Sequence, residues 1–240
     1  MSERRCIEVE AVSVWYGERI AVRDVSLEVP AGEVTALLGP NGAGKTSLVA
    51  AICGVAASCA GSLAVDGDVV PFGRPDLVRR AGVAVVPEGH RVVADMTVLD
   101  SLRVASVVHP RAGRRAAVDD ALDAFPELAR LRARRSGLLS GGEQQMLALA
   151  QALVSRPRYV IIDELSLGLS PAIIERLAPR VGELAQSGVG VLLIEQFTAL
   201  ALRLASRAYL LSRGRISSCL DPGELRDRPE LLHAAYLAHR

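Results

Sequence analysis

Short apolar runs separated by helical stretches organise most of the chain. Ile7 and Val9, then Val12, Val14 and Tyr16, alternate with other residues, as do Val25, Leu27 and Val29, so residues 7–29 read as strands. Pro30-Ala31-Gly32 is a turn. Val34 to Leu38 is a short run of buried-strand type. Gly39 to Gly44 follows as a glycine-rich loop, and Thr46 to Cys53 as a helix with Gly54 placed to cap its end. Residues 62–73 read as a small hairpin around Asp66-Gly67. Val83 to Val86 is another buried run, ended by Pro87.

Residues 97–135 carry a helical pattern broken at His109-Pro110 and at Phe125-Pro126, and a further helix runs from Gly141-Gly142 to about Val154. Val160 to Ile162 and Val191 to Ile194 are two more buried runs, each followed by acidic residues, with a helix from Pro171 to Ala185 between them. Buried strands alternating with helices predict an α/β fold with a largely parallel sheet. No internal repeat or low-complexity segment interrupts it.

Composition narrows the function classes. The 240 residues are 50% hydrophobic and 23% charged, which is globular and not disordered. With 28 basic and 27 acidic side chains the net charge is +1, which excludes a basic nucleic-acid footprint over the whole chain and leaves only local patches. Arg130, Arg132, Arg134 and Arg135 form one such patch, readable as a solvated helix end or as a contact for anionic lipid or nucleic acid. Cys6, Cys53, Cys59 and Cys219 make no C-x-x-C pair and no metal-like cluster with His90, His109, His233 and His239; they read as scattered buried thiols. Met1-Ser2-Glu3-Arg4-Arg5 lacks the apolar core of a signal peptide, and no apolar run approaches the roughly 18 residues of a membrane span. A cytosolic chain that meets a membrane only through partners is expected.

The first chemical motif is Gly39-Pro40-Asn41-Gly42-Ala43-Gly44-Lys45-Thr46, a G-x-x-x-x-G-K-[ST] loop between a strand and a helix, followed by Ser47. Its glycines let successive backbone N–H groups turn toward one phosphate chain, and the helix that follows adds its positive end. Lys45 is a compact charge able to reach β and γ phosphates, and Thr46 offers a hydroxyl to Mg²⁺. Lys45 is also the only lysine in the chain. A guanine-reading N-K-x-D motif needs a second one, so ATP is favoured by elimination.

The second motif is Leu139-Ser140-Gly141-Gly142-Glu143-Gln144-Gln145. A serine and two glycines opening a helix make another anion site of N–H groups and a hydroxyl, although Ser140 alone also reads as an ordinary N-cap. The order of phosphate loop, L-S-G-G-x-Q, and Tyr159 to Ile162 followed by Asp163-Glu164 resembles the nucleotide-binding subunit of an ABC transporter, over essentially the whole chain.

That resemblance implies a P-loop ABC ATPase fold over residues 1–240, with a mostly parallel core sheet, an antiparallel β subdomain and an inserted helical subdomain. Residues 1–88 and 138–240 would form the nucleotide-binding core and residues 89–137 the helical subdomain. It implies ATP and Mg²⁺ as ligands and a dimer that sandwiches each ATP between the phosphate loop of one subunit and Ser140-Gly141-Gly142-Glu143 of the other. Tyr16 matches the aromatic that stacks on adenine, with a core or edge-strand tyrosine as the other reading. Asp163 matches the carboxylate that holds Mg²⁺, and Glu164 the general base. Ser166 to Leu169 match the loop that touches the partner.

Two positions refine the branch. In Val86-Pro87-Glu88-Gly89, Glu88 stands where most members have glutamine. In Leu193-Ile194-Glu195-Gln196, Gln196 stands where most have a switch histidine contacting the γ-phosphate. Together with Leu139 to Leu149 and the tail Ala235-Tyr236-Leu237, these resemble importer ATPases for branched-chain and other hydrophobic amino acids, with urea and short-amide systems as siblings. The implied assembly is a second, related or identical ATPase, two membrane permeases and an extracytoplasmic binding protein, at the cytoplasmic face of the inner membrane and with no nucleic acid. A soluble ABC ATPase acting on nucleic acid or ribosomes is the rival class. Two departures stand out: Leu165 replaces a proline, predicting a looser loop after Glu164, and Gln151 replaces an arginine, predicting the loss of an ion pair.

Overall fold

The computed structural model describes residues 5–89, 91–196 and 198–227. His90, His233, His239 and the tail Ala235-Tyr236-Leu237 lie outside the described residues.

The chain opens with β1 (Cys6–Tyr16), β2 (Arg19–Pro30) and β3 (Val34–Leu38), then α1 (Lys45–Ile52), β4 (Cys59–Val65), β5 (Asp68–Val69), α2 (Pro75–Arg80) and β6 (Val83–Val86). Helices α3 (Val98–Ala105), α4 (Arg111–Ala124), α5 (Pro126–Arg130) and α6 (Gly141–Val154) follow. Then come β7 (Tyr159–Asp163), α7 (Pro171–Gln186), β8 (Gly190–Glu195), α8 (Thr198–Leu204), β9 (Arg207–Ser212), β10 (Arg215–Leu220) and α9 (Pro222–Asp227).

The strands form two sheets, ordered β2-β1-β4-β5 and β10-β9-β3-β8-β7-β6. The four-stranded sheet is antiparallel. The six-stranded sheet is parallel except at β9–β10. The α/β class is therefore as the pattern predicted.

The apolar runs are continuous because the large sheet is covered on both faces. Successive side chains of a strand point to opposite faces, and the core divides accordingly. Val34, Ala36, Leu38, Val160, Ile162, Val191 and Leu193 pack with helices α3 to α9. Leu37, Ile161, Leu192 and Ile194 pack with α1 and the antiparallel sheet. In β1 the inward positions shift from Ile7 and Val9 to Val12 and Val14. The shift is a bulge in which Ala11 takes a left-handed φ of 48°.

Helical pattern was expected through residue 135, but α5 ends at Arg130. The next residues turn back across the start of α3, where the Arg132 and Arg134 carbonyls accept from Leu99 N–H and Val98 N–H, both at 3.0 Å. Those amides belong to the first turn of α3 and have no partner within the helix, so the chain supplies one from outside. Arg132, Arg134 and Arg135 themselves are exposed, and Arg135 pairs with Asp95 at 3.7 Å. The cysteines are less uniformly buried than expected: Cys6 is buried, Cys53 and Cys59 are intermediate and Cys219 is exposed on β10. Among the described residues, no helix is long and apolar enough to cross a membrane.

Candidate functional site

The phosphate loop leaves the C-terminal end of β3, a central strand bonded to β8 on one side and β9 on the other. It is held from below by the last hairpin. Gly214 N–H donates to the Ala43 carbonyl at 2.8 Å, and Arg23 N–H to the Gly214 carbonyl at 2.7 Å. Close approach dictates the glycines: a β-carbon on Gly39 would overlap the Leu211 carbonyl, and one on Gly44 (φ 109°) would lie 2.7 Å from the Ala21 carbonyl oxygen. No side chain caps α1 and no acidic residue sits in its first turn, so its N-terminal amides are left for an anionic ligand. Lys45 is only 6% exposed, and its ammonium donates to the carbonyls of Gly39 at 2.8 Å and Pro40 at 3.2 Å.

Asp163 ends β7 and is 5% exposed. Burial, then the carboxylates of Glu88 and Glu164, push its pKa up to about 6, opposed by Lys45 and Arg91. Glu164 follows in a left-handed backbone, φ 56°, with its N–H donating to the Ile194 carbonyl at 2.9 Å. Leu165 is fully buried, so the loop that lacks a proline ring is anchored in the core instead.

These elements enclose a cavity of about 930 Å³. Its lining includes Tyr16, Asn41, Gly42, Gly44, Lys45, Thr46, Ser47, Glu88, Glu164 and Gln196. Tyr16 is 51% exposed at the end of β1, which removes the reading of a core tyrosine. Gly39, Pro40 and Ala43 shape the loop behind the lining, through the Lys45 and Gly214 contacts. The sequence reading did not include Arg19, Arg213 and Gly214, which also line the cavity.

Ser140, Gly141, Gly142 and Glu143 are not in this lining. They begin α6, where Ser140 Oγ accepts from Glu143 N–H at 3.3 Å and Glu143 Oε2 accepts from Ser140 N–H at 2.7 Å. That reciprocal cap occupies two of the turn's amides and leaves those of the glycines. Gly142 also permits tight packing, since a β-carbon there would lie 2.8 Å from Ile173. The ordinary N-cap reading of Ser140 thus holds locally, and the cavity beside the phosphate loop does not include this turn.

Thr46 and Glu88 also line a second, mostly apolar cavity of about 690 Å³ between α1 and β6 on one side and α3 and α6 on the other, and Asp163 lines this cavity but not the first. Val55, Val78, Ala105, Val108 and Gln151 line it. The oxygen set of Thr46, Asp163 and Glu88 suits a hard cation. Among the described residues no group of three or more His, Cys, Asp or Glu forms a closed metal site. Such an open set fits Mg²⁺, which keeps water and phosphate oxygens in its shell.

Residues 22–166 match the ABC transporter family. The chain is 40% identical over 210 residues to the high-affinity branched-chain amino acid transport ATP-binding protein BraG of Pseudomonas aeruginosa, covering 88% of this chain and 90% of that protein. It is 36% identical over 203 residues to the probable branched-chain amino acid transport ATP-binding protein LivF of Archaeoglobus fulgidus, covering 84% and 86%. The lipopolysaccharide export system ATP-binding protein LptB of Escherichia coli is 30% identical over 212 residues, covering 88% of each. A solved structure described as the ATP binding subunit of an ABC transporter superposes with a TM-score of 0.83 at 28% identity, covering 97% of this chain and 98% of that one.

Proposed function

The chain belongs to the ABC transporter family and is an ATP-hydrolysing subunit of it, and we propose that it powers an importer of branched-chain or other hydrophobic amino acids. The observation that carries the ATPase chemistry is the convergence of Lys45, Thr46, Glu88, Glu164 and Gln196 on one cavity. Support for the substrate class comes from the 40% identity to BraG, against 30% to an export ATPase, and from Glu88 and Gln196 at the two variable positions.

The phosphates of ATP lie along residues 39–46, with Tyr16 against the base. Lys45 turns from its loop carbonyls to the β and γ oxygens. Thr46, Asp163 and Glu88 would hold Mg²⁺, which would supply charge neutralisation on the phosphates. Glu164 takes a proton from the attacking water. Gln196 donates a hydrogen bond to the γ-phosphate, without the charge of an imidazolium. Ser140-Gly141-Gly142-Glu143 of this chain close over the nucleotide of a second ATPase subunit, related or identical, and that subunit's matching turn closes over this one.

Residues 1–88 and 138–240 act as the core and residues 89–137 as the helical unit that moves with closure. The apolar cavity between the two receives a cytoplasmic segment of a permease, because the same cavity reaches Thr46, Glu88 and Asp163. Two permeases and an extracytoplasmic binding protein complete the assembly, with the chain peripheral on the cytoplasmic face of the inner membrane and no nucleic acid bound. Affinity purification from native membranes in mild detergent tests this. Recovery of two permeases and an ATPase partner is expected; recovery of ribosomal or DNA-repair proteins instead would overturn the transport reading.

A further inference from the structure

The loop after Glu164 is clamped to the end of β8. Ser166 N–H donates to Glu195 Oε1 at 3.0 Å, and the Ser166 hydroxyl to Glu195 Oε2 at 2.7 Å. Both oxygens of one carboxylate thus grip one residue, through backbone and side chain together. Glu195 is only 1% exposed at the end of β8, where little water competes for the two hydrogen bonds. Its chain neighbour Gln196 lines the nucleotide cavity.

The clamp sits where strain has to be held. Glu164 keeps a left-handed φ of 56°, costly for a residue with a side chain. Its N–H is fixed by Ile194, Leu165 is buried, and Ser166 is gripped by Glu195, so the end of β8 brackets the strained residue on both sides. Beyond it the chain makes two successive turns, Leu167 N–H to Glu164 carbonyl at 3.4 Å and Leu169 N–H to Ser166 carbonyl at 3.2 Å. These weak turns do not fix Glu164 by themselves.

We propose that Glu195 is a positioning residue: its carboxylate holds Ser166 so that Glu164 keeps its strained backbone, and it fixes the catalytic loop in register with Gln196. The inference rests on the ATPase reading of this site. It accounts for an ordered loop without the proline, since two hydrogen bonds and a buried leucine replace the ring.

The test compares steady-state hydrolysis, ATP affinity and amide hydrogen exchange in the full chain. Glu195→Leu keeps the volume and removes both acceptors. It is expected to lower kcat about 10–100-fold, to leave ATP affinity within about twofold, and to speed exchange in residues 164–169. Glu195→Gln presents an oxygen to the amide and an amino group to the hydroxyl, and is expected to restore most of the rate. Ser166→Ala loses the hydroxyl bond alone and is expected to lower kcat several-fold, with no added effect in the Glu195→Leu background.

Unchanged kcat in Ser166→Ala, or equal effects of Ser166→Ala in both backgrounds, overturns the clamp, and the first of these decides the matter even if Glu195→Leu does not fold. Parallel loss of affinity and rate also overturns it, as damage to the whole site. Absence of hydrolysis by the wild-type chain, with Lys45→Ala indistinguishable from it, brings down the ATPase reading and this inference with it.

Discussion

The Lys45 ammonium donates to the Gly39 carbonyl at 2.8 Å, across the loop whose glycines leave room for phosphate. The only lysine of the chain is thus folded onto its own backbone, nearly buried, and has to be compact to fit. Lys45→Ala is expected to weaken ATP binding at least 10-fold. Lys45→Arg is expected to fail similarly, because a planar guanidinium does not fit between the Gly39 and Pro40 carbonyls. Calorimetric titration with ATP checks both, and wild-type affinity in Lys45→Ala would remove the lysine from the site.

Glu164→Gln keeps the size and hydrogen-bonding reach of the side chain but cannot accept a proton from water. Turnover is expected to fall by roughly 10²–10⁴-fold while ATP still binds. Phosphate release under saturating ATP measures it. Turnover equal to wild type means another group is the base.

Asp163 holds its proton more tightly in the folded chain than in the unfolded one, with a pKa raised from 3.8 to about 6. Protonation therefore favours the fold, and stability falls as pH rises from about 4 through about 6, then stays lower. The cost at neutral pH is about 3 kcal/mol. In chain freed of nucleotide and metal, Asp163→Asn is expected to raise Tm by about 9 °C at pH 8 and by far less at pH 4. Thermal melts at the two pH values decide, and an equal gain at both contradicts the electrostatic cause.

Val55 lines the second cavity but not the first, and is 64% exposed. Val55→Arg is expected to leave the hydrolysis rate of the isolated chain within about twofold and to abolish co-purification with permeases. Retained permeases place the docking surface elsewhere.

Much of this architecture was legible in the chain because the determining patterns are local. Val34–Leu38 and Val83–Val86 read as strands because they are short apolar runs, the first wholly buried and the second buried at its two ends, and Gly141–Val154 reads as a helix that Ser140 caps. The β9–β10 hairpin did not stand out. Its turn places Arg213 (φ 47°) and Gly214 (φ 76°) in left-handed conformations, where asparagine or aspartate would have given the usual signal. The apolar stretch of β9 follows directly on the equally apolar α8, and β10 is polar. With that hairpin went Arg213 and Gly214 of the cavity lining. Glu195 read as one of the acids after a buried run, because nothing in sequence links it to Ser166. The contact exists only once β7 and β8 are paired.

The support of the phosphate loop by Gly214 also has a consequence for synthesis. The loop emerges early, yet β3 acquires both of its neighbours only after β8 and β9 have been made. Its last backbone bond to Ala43 waits for Gly214. A nascent chain therefore carries the whole G-x-x-x-x-G-K-T motif with its cradle unfinished until the β9–β10 hairpin has been made. Nucleotide capture is expected only from that point, and truncation before that hairpin is expected to weaken ATP binding as mutation of the lysine does.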